Sequence, residues 1–177
     1  NDRVWTINVD GSNLFKVHTR TMINEIWGHE FWSADGTTSW YQLNTPRGAG
    51  AVSWIAGTNL KTHQETWLHL EKTDGSIHVN ISKDGTMFAG DGGTGNPWIM
   101  LHIPHIARNM AEGVYDTKGL IQPGYIETER LVNMSTHQYA LEPNVSFTPD
   151  QKWIVFRSNM FGPSYVFEVE VAKAKAN

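Results

Sequence analysis

Alternating apolar and polar positions recur along the chain in short runs separated by turns that contain aspartate. Three such runs share one pattern of strand, Asp-Gly-type turn and strand: His29–Tyr41, His78–Ala89 and Asn144–Phe156. Period-two alternation around an Asp-Gly turn is typical of a β-hairpin. The turn aspartates, which are separated by 49 and 66 residues, are Asp35, Asp84 and Asp150. We therefore predict a repeated β-hairpin.

A second kind of hairpin alternates with the first. It is predicted at Val4–Leu14, at Ser53–Trp67 and, in part, at Tyr165–Val171. Two hairpins make four strands, and four strands in about 40–50 residues is the spacing of β-propeller blades. The pattern thus predicts an all-β chain, a β-propeller of four-stranded antiparallel blades. The blade-like units are expected at residues 1–20, 29–71, 76–133 and 137–172.

This count gives about three and a half blades, too few to close a ring of four to eight. The chain begins Asn-Asp-Arg-Val-Trp, without Met, inside an alternating segment. We expect residues 1–177 to be the C-terminal part of a single propeller domain. The alternatives are a small open sandwich or an obligate oligomer that completes a ring. An insertion at about Pro104–Glu127 is the one stretch in which a short helix is expected.

Composition narrows the class of protein. Hydrophobic residues make up 40% of the chain, aromatic residues 11% and charged residues 18%, which excludes a disordered chain. The net charge of −4 argues against a nucleic-acid partner. No apolar run approaches the roughly 18 residues of a membrane span. The absence of cysteine excludes disulfides and thiolate metal sites.

Two histidines hold the same place in the repeat, His29 and His78, and Glu142 and Asn144 hold that place in the last blade. Innermost strands line the channel of a propeller, so equivalent positions converge there. Imidazole and carboxylate together suit Mn²⁺ or Zn²⁺. The alternative is that these polar side chains only bind water in the channel.

The other histidines carry no such pattern. His18, His63 and His69 are interpreted as solvated strand-edge residues, and His102 and His105 as ordinary loop residues around the insertion. The Gly-rich loop Asp91–Gly95 is interpreted as a bulge in which glycine supplies positive φ.

Three arginines stand beside repeat strands or in loops that contain Pro or Gly: Arg3, Arg47 and Arg157. A guanidinium near a channel mouth can bind a carboxylate with two hydrogen bonds. Each could equally form a surface salt bridge. With the many aromatic residues, they suggest an acidic sugar as ligand.

The sequence resembles the oligogalacturonate lyases. The resemblance runs along essentially the whole chain and corresponds to the C-terminal half of proteins of that family. The most specific element is His-Glu-Phe-Trp, which follows an Arg-x-Trp by 26 residues. The segments that carry the resemblance are Arg3–Asn13, Gly28–Gly36, His78–Gly92, Leu131–His137, Leu141–Asp150 and Phe156–Gly162.

The resemblance implies a seven-bladed propeller that cleaves short oligogalacturonides by β-elimination with a divalent metal, typically manganese. By motif position, Arg3 matches the catalytic arginine and His29 the catalytic base, whereas His78 matches a metal-binding histidine. The remaining metal stretch of the family reads Gln-x-x-His-x-His. Here its positions are Tyr139, Glu142 and Asn144, a departure that gives oxygen donors and for which His137 is expected to compensate.

The expected chemistry is removal of the proton α to a uronate carboxylate by His29, with Arg3 and the metal neutralising that carboxylate. Arg47 and Arg157 are expected to bind the acidic oligosaccharide. The alternatives are a non-catalytic propeller that binds peptides or sugars and a lyase for another uronate oligomer. The resemblance implies a cytoplasmic location, or a periplasmic one if a missing N-terminus carried an export signal.

Overall fold

The computed structural model describes residues 3–19, 26–45, 50–107 and 121–172, and these residues contain β-strands and no α-helix. The described strands are β1 Arg3–Thr6, β2 Phe15–Thr19, β3 Ile26–Trp32, β4 Thr38–Thr45, β5 Val52–Asn59, β6 Glu65–Leu70, β7 Val79–Ile81, β8 Phe88–Gly90, β9 Trp98–Ile106, β10 Gln122–Asn133, β11 Ser146–Phe147, β12 Trp153–Ser158 and β13 Tyr165–Glu170. Two short 3-10 turns, Lys72–Asp74 and Tyr139–Leu141, interrupt them.

The chain divides into two compact units, of which the first comprises Asn1–Leu70 and His105–Tyr125. In this unit β1 and β2 form an antiparallel hairpin, and β3, β4, β5 and β6 form an antiparallel meander. The beginning of β10 runs parallel to β6, with Gln122 opposite Thr66. A four-stranded antiparallel meander of the expected kind is therefore present in this unit, and the beginning of β10 extends its sheet by a parallel strand that was not expected.

The core of the first unit follows from the strict alternation of β4, in which every second residue is buried. Tyr41 and Leu43 point inwards and pack with Val4, Val17 and Ala56. Burying a large apolar side chain stabilises a fold by about 1.5–3 kcal/mol, so this face of β4 holds the hairpin β1–β2 to the sheet.

His18 belongs to this core, contrary to the sequence-based prediction of an exposed edge residue. Its side chain is 4% exposed. Its Nδ1 lies 3.4 Å from the hydroxyl of Tyr41. The prediction was wrong because a partner 23 residues away satisfies the imidazole, which local sequence does not reveal.

The second unit comprises Glu71–Pro104 and Ile126–Asn177. Its strands are ordered β10-β9-β8-β7 in one sheet and β11-β12-β13 in another. Buried residues of both sheets and of the segments next to them share one core: Ala89, Ile99, Leu101, Met134, Val145, Ile154 and Phe156.

The three aspartate turns have one geometry. Asp35 accepts hydrogen bonds from the hydroxyl of Ser33 and the backbone N–H of Thr37. The same two bonds recur at Asp84 and at Asp150. These hydrogen bonds lower the pKa of each carboxyl, that of Asp35 to about 2. The predicted hairpins are thus confirmed.

The predicted insertion lies only partly within the described residues. β9 continues through Pro104 to Ile106, and β10 begins at Gln122. The described ends of the insertion are therefore strand, and residues 108–120, where a helix was expected, lie outside the described residues.

Candidate functional site

The hairpin β7–β8 places His78 opposite Asp91. Val79 pairs with Gly90 in this hairpin, so the residues one step further out face each other across it. The Nδ1 of His78 lies 2.8 Å from Oδ2 of Asp91, and the backbone N–H of His78 donates to Oδ1 at 2.9 Å. The His78 side chain is 25% exposed and that of Asp91 is fully buried. The carboxylate therefore fixes the imidazole by Nδ1 and directs Nε2 away from itself.

Asp91 is the centre of a wider hydrogen-bond network. The hydroxyl of Tyr139 donates to Oδ1 at 2.9 Å, and the backbone N–H of Asn144 donates to Oδ2 at 3.2 Å. A buried carboxylate is costly unless hydrogen bonds satisfy it, and these donors do so. Asp91 thus joins β7, the 3-10 turn Tyr139–Leu141 and the segment before β11.

Tyr139 remains a donor within this network. Burial, together with the nearby carboxylate of Asp91, raises the pKa of Tyr139 far above its ordinary value. The phenol therefore stays protonated. Its oxygen also lies 3.5 Å from Nδ1 of His78. The Tyr139 hydroxyl therefore contacts both members of the His78–Asp91 pair.

Glu142 and Asn144 have left-handed backbone conformations, with φ of 44° and 50°. The side-chain amide of Asn144 donates to the backbone oxygen of Glu142 at 3.1 Å. Nε of Arg157 donates to the same oxygen at 2.8 Å. The side chains of Glu142 and Asn144 are both exposed, whereas the backbone N–H of Asn144 contacts Asp91. The structure thus brings His78, Glu142, Asn144 and Arg157 into one connected region of the second unit.

His137 is held differently. Its Nδ1 accepts the backbone N–H of Asn159 at 3.3 Å and lies 3.0 Å from the hydroxyl of Ser158. Burial lowers the pKa of His137, so the ring is neutral with its proton on Nε2. That Nε2 is buried and has no hydrogen-bond partner in the described part of the chain. His137 therefore has no spare lone pair for a metal ion.

The predicted catalytic residues lie in the first unit. His29 is an exposed residue of β3 with φ of 54°, at a point where the register with β4 shifts between Gly28 and Phe31. The backbone of Arg3 begins β1 and pairs with Thr19, but its side chain is outside the described residues. Arg47 also lies outside them.

Comparison with known proteins identifies the family. A family model for oligogalacturonate lyases matches residues 1–174. The chain belongs to the oligogalacturonate lyase family. It is 26% identical to the oligogalacturonate lyase of Dickeya dadantii (strain 3937) and 25% identical to the oligogalacturonide lyase of Pectobacterium atrosepticum (strain SCRI 1043), in both cases over 96% of this chain. The chain spans 43% of the length of these curated relatives.

Solved structures of lyases of this family share the fold. An oligogalacturonate lyase in complex with manganese aligns with 97% of the chain and 42% of its own length, at a TM-score of 0.71 and 24% identity. The oligogalacturonate lyase of Vibrio parahaemolyticus aligns with 97% of the chain and 42% of its own length, at a TM-score of 0.68 and 22% identity. The predicted all-β propeller fold is confirmed.

No helix in the described ranges is long and apolar enough to cross a membrane.

The donor chemistry fits a manganese ion for this member of the oligogalacturonate lyase family. Histidines that bind metals almost always donate their other ring N–H to a carboxylate or carbonyl, as His78 can to Asp91. The oxygens of Glu142 and Asn144 are of the kind that Mn²⁺ accepts. No group of three or more His, Cys, Asp or Glu side chains gathers at metal-binding distance within residues 3–19, 26–45, 50–107 and 121–172.

The structure corrects the sequence-based interpretation of Asp91, His102 and His105. Asp91 was interpreted as part of a glycine bulge, although it stands six residues after Gly85 just as His78 stands six before Asp84. Hairpin symmetry could have paired the two. His102 and His105 were interpreted as loop residues, but both lie within β9. His102 is fully buried, and its Nδ1 lies 2.9 Å from the hydroxyl of Thr128. The apolar run before Pro104 was the signal for this strand.

Proposed function

We propose that the intact protein is an oligogalacturonate lyase that cleaves short oligogalacturonides by metal-assisted β-elimination and releases unsaturated uronates. The observation that carries this proposal is the His78–Asp91 pair. A buried carboxylate at 2.8 Å from Nδ1 makes an imidazole a fixed ligand through Nε2. Family membership supports the reaction class, and this pair supports the proposed position of the metal.

We assign the metal to Nε2 of His78, the carboxylate of Glu142 and the amide oxygen of Asn144. Asp91 and Tyr139 orient the first of these. When bound, the Mn²⁺ ion would act as a Lewis acid that neutralises a substrate carboxylate. His137 is not included in this set, because its Nδ1 already accepts a backbone N–H.

His29 is assigned as the general base. It removes the proton α to the uronate carboxylate, and a carbon–carbon double bond forms between that carbon and its neighbour as the glycosidic C–O bond of the neighbour breaks. The electron pair of that bond leaves with the glycosidic oxygen, which takes a proton from water. The exposure of His29 supports this role, since the ring must reach substrate and afterwards return the proton to water. Arg3 is assigned to the carboxylate whose negative charge grows in the transition state.

Arg157 is proposed to contact the substrate as well. Its Nε holds the backbone of Glu142, so its terminal nitrogens are the donors that remain for a carboxylate. A substrate role for Arg47 stays a prediction. The same holds for the cytoplasmic location, its periplasmic alternative, the division into blade-like units and the assignment of residues 1–177 to the C-terminal part of a propeller.

The test is product formation by the intact protein from digalacturonate, followed by the ultraviolet absorbance of the unsaturated product. We expect activity with Mn²⁺, loss of activity on chelation and its return on adding Mn²⁺. Binding of digalacturonate without cleavage, with metal present, would point instead to a binding module. Cleavage confined to other uronate oligomers would show that the protein is a lyase for a different acidic sugar.

A further inference from the structure

We infer that a cavity of about 650 Å³ in the second unit is a subsite for a uronate of the substrate other than the one that reacts. Two loops form its walls, with residues 72–73 and 75–77 before β7 and residues 92–98 between β8 and β9, and Arg130 of β10 completes the lining. Its volume lies within the range of small-molecule sites. This inference rests on the proposed function, which supplies the acidic sugar.

The charge of the lining favours an anion. Among the described residues that line the cavity are two cations, Lys72 and Arg130, and no carboxylate. The chain as a whole carries a net charge of −4, so a lining with only cations departs from the general trend. A carboxylate in this cavity would meet the charges of Lys72 and Arg130, of which Arg130 also forms an ion pair with Asp74 at 3.4 Å.

Arg130 is placed to act on a ligand. Its Nη2 donates to the backbone oxygen of Thr73 at 3.3 Å and lies 3.4 Å from Oδ1 of Asp74. Both bonds use the same nitrogen, and a guanidinium has five N–H donors. Its Cζ lies 5.8 Å from the centroid of the Trp98 ring. A planar cation beside an indole offers both a carboxylate partner and an apolar surface for a sugar ring.

The walls are linked to each other before any ligand binds. The side-chain amide of Asn96 donates to the backbone oxygen of Gly75 at 2.9 Å, and the backbone N–H of Gly92 donates to the hydroxyl of Ser76 at 3.1 Å. A Cβ at Gly92 would clash with the backbone oxygen of Asn96. This close contact requires glycine. A cavity with fixed walls loses little entropy on binding.

The position of the cavity connects it to the proposed metal site. Ile77 and Gly92, which line it, are the chain neighbours of His78 and Asp91. An oligogalacturonide bound beside His78 could therefore extend along this groove with a further carboxylate. The subsite would then govern affinity for longer substrates rather than the chemical step.

The experiment measures the Kd of trigalacturonate by calorimetry, with chelator present so that the metal does not contribute. We expect the Kd of the intact protein with Lys72→Gln and Arg130→Gln to rise about 5- to 30-fold, since two charge-assisted contacts are lost. The matched control is Lys83→Gln, an exposed lysine of the β7–β8 turn outside the lining. Its Kd should not change. Methyl-esterified trigalacturonate should bind the parent and the double variant equally.

Three other results would overturn the inference. An unchanged Kd in the double variant, with lyase activity intact in the parent, would remove the subsite and leave the proposed function standing. An equal rise for Lys83→Gln would show a general charge effect in place of a site. If the parent neither binds nor cleaves any oligogalacturonate, the proposed function fails and the subsite fails with it.

Discussion

His29 and His78 occupy the same position in two repeats, but their structural environments differ. Each precedes its turn aspartate by six residues, and the residue six places beyond the turn is Gln42 in the first case and Asp91 in the second. His78 is bound to its partner at 2.8 Å in a regular hairpin. His29 is exposed at a register shift with φ of 54°. One repeat position thus yields a fixed imidazole and an exposed one.

The third repeat shows which part of this difference comes from the backbone. Asn144 shares the positive φ of His29, and the residue six beyond its turn is Arg157. Only the second repeat combines a histidine with a carboxylate. The buried carboxylate of Asp91 therefore distinguishes His78 from the other two repeats, and it is the feature on which the proposed metal role of His78 rests.

The largest expected effect is on catalysis at His29. His29→Gly removes the proposed base and also suits the left-handed backbone, so that folding is not the cause of any loss. We expect kcat on digalacturonate to fall about 10²- to 10⁴-fold, the usual contribution of a general base. The matched control is His63→Gly, which replaces another exposed histidine, with φ of 60°. Wild-type kcat in His29→Gly, or an equal loss in the control, would remove the base assignment.

A third histidine extends the comparison to complete burial. Burial lowers the pKa of His102 to about 4. In the unfolded chain His102 takes up a proton below about pH 6.5, whereas in the folded chain it stays neutral down to about pH 4. This contribution to the free energy of unfolding is therefore complete above pH 6.5 and is lost as pH falls from 6.5 to 4. The difference amounts to about 3 kcal/mol.

Urea denaturation at several pH values between 7 and 4.5 measures this effect. We expect the parent protein to lose stability over that range more steeply than a His102→Gln variant, in which the imidazole is gone. The other titrating groups are common to both proteins and cancel in the comparison. Equal pH dependence in the two proteins would show that His102 titrates normally.

The glycine after Asp91 gives a stability prediction of similar size. Gly92→Ala should lower the free energy of unfolding by about 3 kcal/mol, because the new Cβ meets backbone and φ is +68°. Gly85→Ala, with φ of +74° and nothing within 4 Å of the new Cβ, should lower it by about 1 kcal/mol. Thermal or urea denaturation compares the two. Equal losses would mean that the loop holding Asp91 is not tightly closed.

A smaller effect is expected where Asp91 acts through His78. Asp91→Asn keeps the shape of the side chain and removes the charge that orients the imidazole. The affinity for Mn²⁺, measured by calorimetry, should fall about 10- to 100-fold. Asp84→Asn is the control, because that carboxylate accepts similar hydrogen bonds in an exposed turn. If Asp91→Asn unfolds the protein, Tyr139→Phe removes one donor to Asp91 and should show the same loss in weaker form.

Much of this arrangement was predictable from local pattern. The Asp35, Asp84 and Asp150 turns fix the hairpins, because their hydrogen bonds involve residues only two positions away. The equivalence of His29 and His78 follows from the same spacing. The burial of His18 and His102 could not be predicted in this way, since Tyr41 and Thr128 are distant in sequence. Nor does the sequence reveal the register shift at His29, which depends on the pairing with β4.

The most direct test of the different roles of the two histidines is Mn²⁺ binding by the intact protein and by two single variants, His78→Ala and His29→Gly. We expect one ion to bind to the parent, with unchanged affinity in His29→Gly and at least tenfold weaker affinity in His78→Ala. The same His29→Gly protein should be inactive although it is loaded with metal. Unchanged Mn²⁺ affinity in His78→Ala, or an equal loss in both variants, would contradict the separate roles assigned to these two positions.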